Sequence, residues 1–144
     1  MALLAPMIGE YHPNTQRVQP SMRSDYTILI VDDDAWFRLL VRTLLKRTPY
    51  RIIEAQDGIE GIAALRCAPV DLLMTDIVMP EQGGLATIDI ARSDFPTMKI
   101  LAVSGVREKE YYLRAAEMMG ADATLSKPIT RVRLLETLGE LAQP

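Results

Sequence analysis

From Tyr26 onward, short apolar runs alternate with segments of helical spacing. Thr27-Ile28-Leu29-Ile30-Val31 is a continuous apolar run of strand length, the pattern of a strand covered on both faces. Ala35 to Lys46 follows at helical period, with Phe37, Leu40, Val41 and Leu44 on one stripe. Arg51 to Ala55 reads as a second strand, and Ile59 to Arg66 as a helix that ends before Pro69. Asp71 to Thr75 is a third, almost wholly apolar strand, followed by a helix over Leu85 to Arg92 that Gly83-Gly84 opens. Lys99 to Val103 is a fourth strand. The next helix, Glu108 to Met119, stops at Gly120. Ala123 to Leu125 and Arg131 to Leu141 give the last strand and helix. Five strands, each followed by a helix, predict an α/β fold. It is a doubly wound parallel sheet with helices on both faces and right-handed crossovers.

Residues 1 to 24 break this rhythm. Pro6, Pro13 and Pro20 interrupt them, and neither period is sustained. They are expected to form a flexible N-terminal extension, with the folded unit at 25–144. Leu3, Leu4, Met7 and Ile8 also suit a docking arm. The chain ends soon after the last helix, so no output domain is expected.

Composition narrows the function. The 144 residues fit one domain, and 49% apolar content is enough for one core. A net charge of -3 lacks the clustered basic face that nucleic acid requires. One cysteine, Cys67, excludes an internal disulfide, and one histidine, His12, excludes a multi-histidine zinc site. No stretch approaches the ~20 apolar residues of a membrane helix, and the N-terminus lacks a signal-sequence pattern. A cytoplasmic protein that binds neither nucleic acid nor membrane is expected.

The candidate chemistry lies at the strand ends. In a doubly wound sheet, ligands bind beyond the carboxyl ends of the strands. Asp32-Asp33-Asp34 follows the first strand and Asp76 the third. Ser104-Gly105 follows the fourth, and Lys127-Pro128 the fifth. Like charges about 4 Å apart repel by ~4 kcal/mol at an effective dielectric near 20, so such carboxylates raise one another's pKa and call for a cation. Hard oxygen ligands suit Mg²⁺, and Lys127 adds a fixed positive charge. This set suits phosphoryl transfer to a carboxylate, with Ser104 as a hydrogen-bond donor to a phosphoryl oxygen. Each residue also has a plain role: helix caps for Asp33 and Asp34, a turn for Asp76, surface positions for Ser104 and Lys127. Capping accounts for one aspartate, not three.

The runs Ile28 to Asp34, Met74-Thr75-Asp76-Ile77-Val78-Met79-Pro80, Val103-Ser104-Gly105 and Lys127-Pro128 resemble the receiver domain of two-component response regulators. The resemblance extends from Tyr26 to about Leu141. It implies a CheY-like, flavodoxin-like (βα)5 fold with strand order 2-1-3-4-5. It implies phosphorylation on Asp76. Asp32 and Asp33 are the acidic pair, and Asp33, Asp76 and the Val78 main-chain carbonyl hold Mg²⁺. Ser104 is then the switch hydroxyl and Lys127 the family's lysine, its bond to Pro128 cis. The partners implied are a histidine kinase or a histidine phosphotransfer protein as donor. A downstream protein would be met through the fourth helix, fifth strand and fifth helix, in a monomer or weak homodimer. Turnover would be limited to self-phosphorylation from a donor and slow autodephosphorylation.

Three features depart from the family pattern. Thr124 stands where an aromatic switch residue is usual, and Ile129 where Phe is usual. Tyr111 or Tyr112 is a candidate substitute, although both suit half-buried helix positions. Val78 is apolar, so its side chain cannot orient an attacking water by hydrogen bonding. Trp36, in the first turn after the acidic run, suits a site cap, a partner contact or a solvent-facing position. Two further readings compete with the phosphoacceptor. One is a receiver-like adaptor that works without phosphorylation. The other is a haloacid-dehalogenase-type phosphatase using the Asp-x-Asp of Asp32 and Asp34. The phosphatase reading places Trp36 where Thr or Val is expected, and it leaves Asp76 without a role.

Overall fold

The computed structural model of the chain describes residues 26–79, 82–105 and 109–143. The expected extension, 1–24, lies outside the described residues. Elsewhere the alternation is as predicted: β1 (Thr27–Val31), α1 (Ala35–Leu44), β2 (Arg51–Ala55), α2 (Gly58–Cys67), β3 (Leu72–Asp76), α3 (Gly84–Asp94), β4 (Lys99–Ser104), α4 (Lys109–Met119), β5 (Ala123–Ser126) and α5 (Arg131–Leu141). All strands are parallel, in the order β2-β1-β3-β4-β5.

The continuous apolar runs occupy the middle of the sheet. Every residue of β1 and β3 is buried, whereas the edge strands β2 and β5 bury only Ala55 and Leu125. Alternation along the strands divides the core into two layers. Leu29, Val31, Leu73, Ile100 and Ala102 meet Ile62 and Leu65 of α2, Ile88 and Ala91 of α3, and Ala116 of α4. Ile28, Ile30, Leu72, Met74, Leu101 and Val103 meet Phe37 and Val41 of α1 and Leu134 and Leu138 of α5. At roughly 1.5–3 kcal/mol for each fully buried large side chain, these layers supply most of the favourable folding energy.

Some boundaries shift, for local reasons. α1 ends at Leu44 rather than Lys46, because Lys46 N–H bonds tightly back to Thr43 and Arg47 turns left-handed at φ 67°. Its buried stripe is Phe37, Val41 and Leu45, while Leu40 is 40% exposed. β3 begins at Leu72 and includes Asp76, which pairs with Val103. Asp71 instead accepts the Thr27 N–H at 2.8 Å. Among the described residues, three helices open on side-chain caps. Asp34 accepts from Trp36, Asp57 from Glu60 and Thr130 from Arg133.

Candidate functional site

The strand alternation that sends Ile28, Ile30, Leu72 and Met74 toward α1 and α5 sends Asp32 and Asp76 the same way, but at the strand ends. Both aspartates are buried, at 1% and 8% exposure. Asp33, the next residue along, is exposed. One carboxylate oxygen from each of Asp32, Asp33 and Asp76 lies within 4.8 Å of the others, close enough to hold one metal ion. Gly84 makes room for this arrangement. A Cβ there would overlap the carbonyl oxygen of Asp76, so α3 can start against the strand end only with glycine.

Lys127 comes in from β5, 95 residues from Asp32 in sequence. Its Nζ donates to Asp32 Oδ2 at 3.0 Å and lies 3.6 Å from Asp76 Oδ1. It also sits over the Phe37 ring, 4.0 Å from the centroid. Lys127 N–H donates to the Ser104 carbonyl at 2.9 Å, which fixes the lysine loop to the end of β4. Ser104 itself is wholly buried. The Lys127–Pro128 peptide bond is cis.

Burial dominates the electrostatics. It pushes the Asp76 carboxyl up from 3.8 to about 6. Asp32 and then Asp33 add to the rise by repulsion, while Lys127 and the Ile77 N–H pull it down. Asp32 is also raised, again by burial first, against the pull of the Asp34 N–H and Lys127. One ammonium thus leaves the negative charge incompletely offset. The donor set is all hard oxygen, with neither His nor Cys, which fits a cation such as Mg²⁺ and not zinc.

Several residues singled out in the sequence fall outside this cluster. Asp34 caps α1 by accepting the Trp36 N–H at 2.9 Å. The Val78 side chain is 44% exposed and Trp36 is 78% exposed. Thr124 is half-buried opposite Ala102 on β5. The two tyrosines differ: Tyr112 packs on the core, but Tyr111 is 71% exposed, which corrects its expected half-buried position. Ile129 is buried. Two contributors escaped sequence reasoning. Phe37 read only as a core residue of α1, and Arg38 was not singled out at all. Their contacts with Lys127 and with the Asp32 main chain arise only in the fold.

A doubly wound α/β protein with a cation-compatible carboxylate cluster at its strand ends is thus defined. Residues 28–139 match the response regulator receiver domain, and the chain belongs to that family. It is 36% identical over 102 residues to the response regulator GtcR of Aneurinibacillus migulanus, covering 71% of this chain but only 41% of that protein. It is 27% identical over 117 residues to the chemotaxis protein CheY of Listeria monocytogenes, covering 81% of this chain and 98% of CheY. Among solved structures, a CheY-like receiver domain protein from Methanospirillum hungatei superposes with a TM-score of 0.73 at 30% identity, covering 81% of this chain and 92% of that one. CheY4 of Vibrio cholerae does so with 0.72 at 28%, covering 81% and 98%. The chain is a two-component receiver, a family of phosphoacceptor switches that work with kinases and downstream targets. No helix among the described residues is long and apolar enough to cross a membrane.

Proposed function

We propose that Asp76 is the phosphoacceptor of a cytoplasmic two-component phosphorelay, receiving its phosphoryl group from a histidine kinase or a histidine phosphotransfer protein. The observation that carries this reading is the position of Asp76. It belongs to the three-carboxylate cluster and also lies 3.6 Å from the Lys127 ammonium. With a pKa of about 6, Asp76 is mostly ionised at pH 7 and able to attack. Its oxygen forms a bond to phosphorus as the bond from phosphorus to the donor's imidazole nitrogen breaks. The electron pair stays on the imidazole, and an acyl phosphate results. Lys127 meets the incoming charge on the phosphoryl oxygens, and the Ser104 hydroxyl donates to one of them. Asp32, Asp33, Asp76 and the main-chain carbonyl of Val78 would hold Mg²⁺, which when bound offsets the carboxylates and the phosphoryl charge.

The acyl phosphate biases an equilibrium between inactive and active forms, read by a partner protein on the α4, β5 and α5 face. Thr124 takes the place of the aromatic residue usual there, so the relay differs from the common pattern. Residues 25–144 form the receiver unit in this reading, preceded by 1–24. Autodephosphorylation is slow, and the apolar side chain of Val78, which cannot hydrogen-bond an attacking water, alters its rate. The test is incubation with Mg²⁺ and a small phosphodonor such as acetyl phosphate, followed by intact mass. The wild type gains one phosphoryl group and Asp76→Asn gains none. An unmodified wild type, or a phosphorylated Asp76→Asn, overturns the reading.

A further inference from the structure

The polar groups of Asp32 are held from four directions. Its N–H donates to the Ala55 carbonyl at 3.2 Å. Oδ1 accepts from Asp34 N–H at 2.8 Å, and Oδ2 from Lys127 at 3.0 Å. Its main-chain carbonyl accepts from Arg38 Nη1 at 2.6 Å. That carbonyl belongs to the peptide joining Asp32 to Asp33. Whatever fixes the plane of this peptide sets the direction in which the exposed Asp33 carboxylate leaves the chain.

Arg38 is itself anchored. Its Nε donates to Glu54 Oε1 at 2.9 Å, and Arg42 Nε donates to Glu54 Oε2 at 2.6 Å. Glu54 sits on β2, one residue before Ala55, so both ends of the grip rest on the strand beside β1. The Arg38 side chain is only 17% exposed, so its geometry is confined by packing as well as by charge. A guanidinium presents several donors in one rigid plane and can span a carbonyl and a carboxylate together. An ammonium cannot reproduce that fork.

We propose that Arg38 is a positioning residue for the divalent cation. Braced by Glu54, it holds the Asp32–Asp33 peptide so that the Asp33 carboxylate stays within reach of Asp76. The inference rests on the reading of the acidic cluster as a Mg²⁺ site. Groups that orient metal ligands without touching the metal commonly cost ~10–100-fold in affinity when removed. Simple electrostatics predicts the opposite sign here. Removing a positive charge beside three carboxylates makes the site more negative and tightens cation binding.

The experiment is calorimetric titration of Mg²⁺ into the full chain, with thermal melts of the cation-free proteins alongside. Arg38→Ala is expected to weaken Mg²⁺ about 10-fold or more. Arg38→Lys keeps the charge, loses the fork, and should fall nearer Arg38→Ala than wild type. Arg42→Ala removes an equal charge from the same carboxylate without touching the loop. It should stay within about twofold of wild type, below the effect expected for a lost orienting group. Should Arg38→Ala not fold, Glu54→Gln carries the test, with a smaller weakening expected. Unchanged or tighter binding in the folded Arg38 variants, wild-type affinity in Arg38→Lys, or equal weakening in Arg42→Ala overturns the positioning role. A wild type that takes up no Mg²⁺ overturns the metal-site reading, and the proposal with it.

Discussion

The two edges of this sheet treat aspartate in opposite ways. At the edge where the strands begin, carboxylates are matched to donors. Asp71 accepts the Thr27 N–H, and Asp122 accepts the Ile100 N–H at 2.8 Å and Arg92 Nη2 at 2.7 Å. Arg92 also donates to the carbonyls of Pro96, Met98 and Gly120, tying the end of α3 to the end of α4. Gly120, at φ 125°, turns the chain closely over this arginine. At the edge where the strands end, Asp32, Asp33 and Asp76 converge on one another with a single lysine among them. The first edge spends its charges on stability. The second retains unfavourable charge, from carboxylates close enough together to hold a cation.

This contrast can be broken or sharpened by substitution. The largest effect expected is complete loss of covalent phosphate in Asp76→Asn, read by mass, with the fold kept. Next is Arg92→Ala at the opposite edge. It leaves several carbonyls and Asp122 without their shared donor and should destabilise by about 3–5 kcal/mol in urea unfolding. Its phosphorylation rate should not change, because nothing in the site touches Arg92.

Asp76→Asn should also move stability upward, the reverse of Arg92→Ala. A folded-state pKa of about 6 against an ordinary 3.8 means that the folded chain disfavours ionised Asp76. Wild-type stability without divalent cations should therefore fall as pH rises from about 4 to about 6, then level off. At pH 7 the substitution removes this cost, a gain of up to ~3 kcal/mol that disappears near pH 4. Melts of both proteins across that range check it. Asp71→Ala, which removes one acceptor of a main-chain N–H, should lose about 1 kcal/mol. Arg66→Ala breaks an exposed pair with Asp94 and should change stability by less than about 0.5 kcal/mol.

The alternation of periods was enough to derive the fold class. Thr27 to Val31 and the β3 run are apolar at successive positions because both faces of those strands are covered, and that pattern is readable without coordinates. Element ends were legible to within a residue or two. Their true positions depend on local bonds, such as the Lys46 turn and the Asp71 acceptor, that compete with periodicity. The candidate residues Asp32, Asp33, Asp76, Ser104 and Lys127 were legible as candidates because they stand at the ends of four different strands of a parallel sheet, and such a sheet gathers its strand ends on one edge.

What the sequence determined by itself is therefore a parity and an edge: which residues are apolar on both faces, and which polar ones terminate them. The tertiary structure decided the roles within the edge. It made Asp34 a helix cap and not a member of the cluster, and it set Lys127 between Asp32 and Asp76 against the Phe37 ring. It brought Arg38 onto the Asp32 carbonyl with Glu54 behind it. Helix spacing in the sequence reports whether a residue faces inward or outward. It carries no distance between the ends of β1, β3 and β5, and those distances, fixed by packing across the sheet, set the charge environment of Asp76.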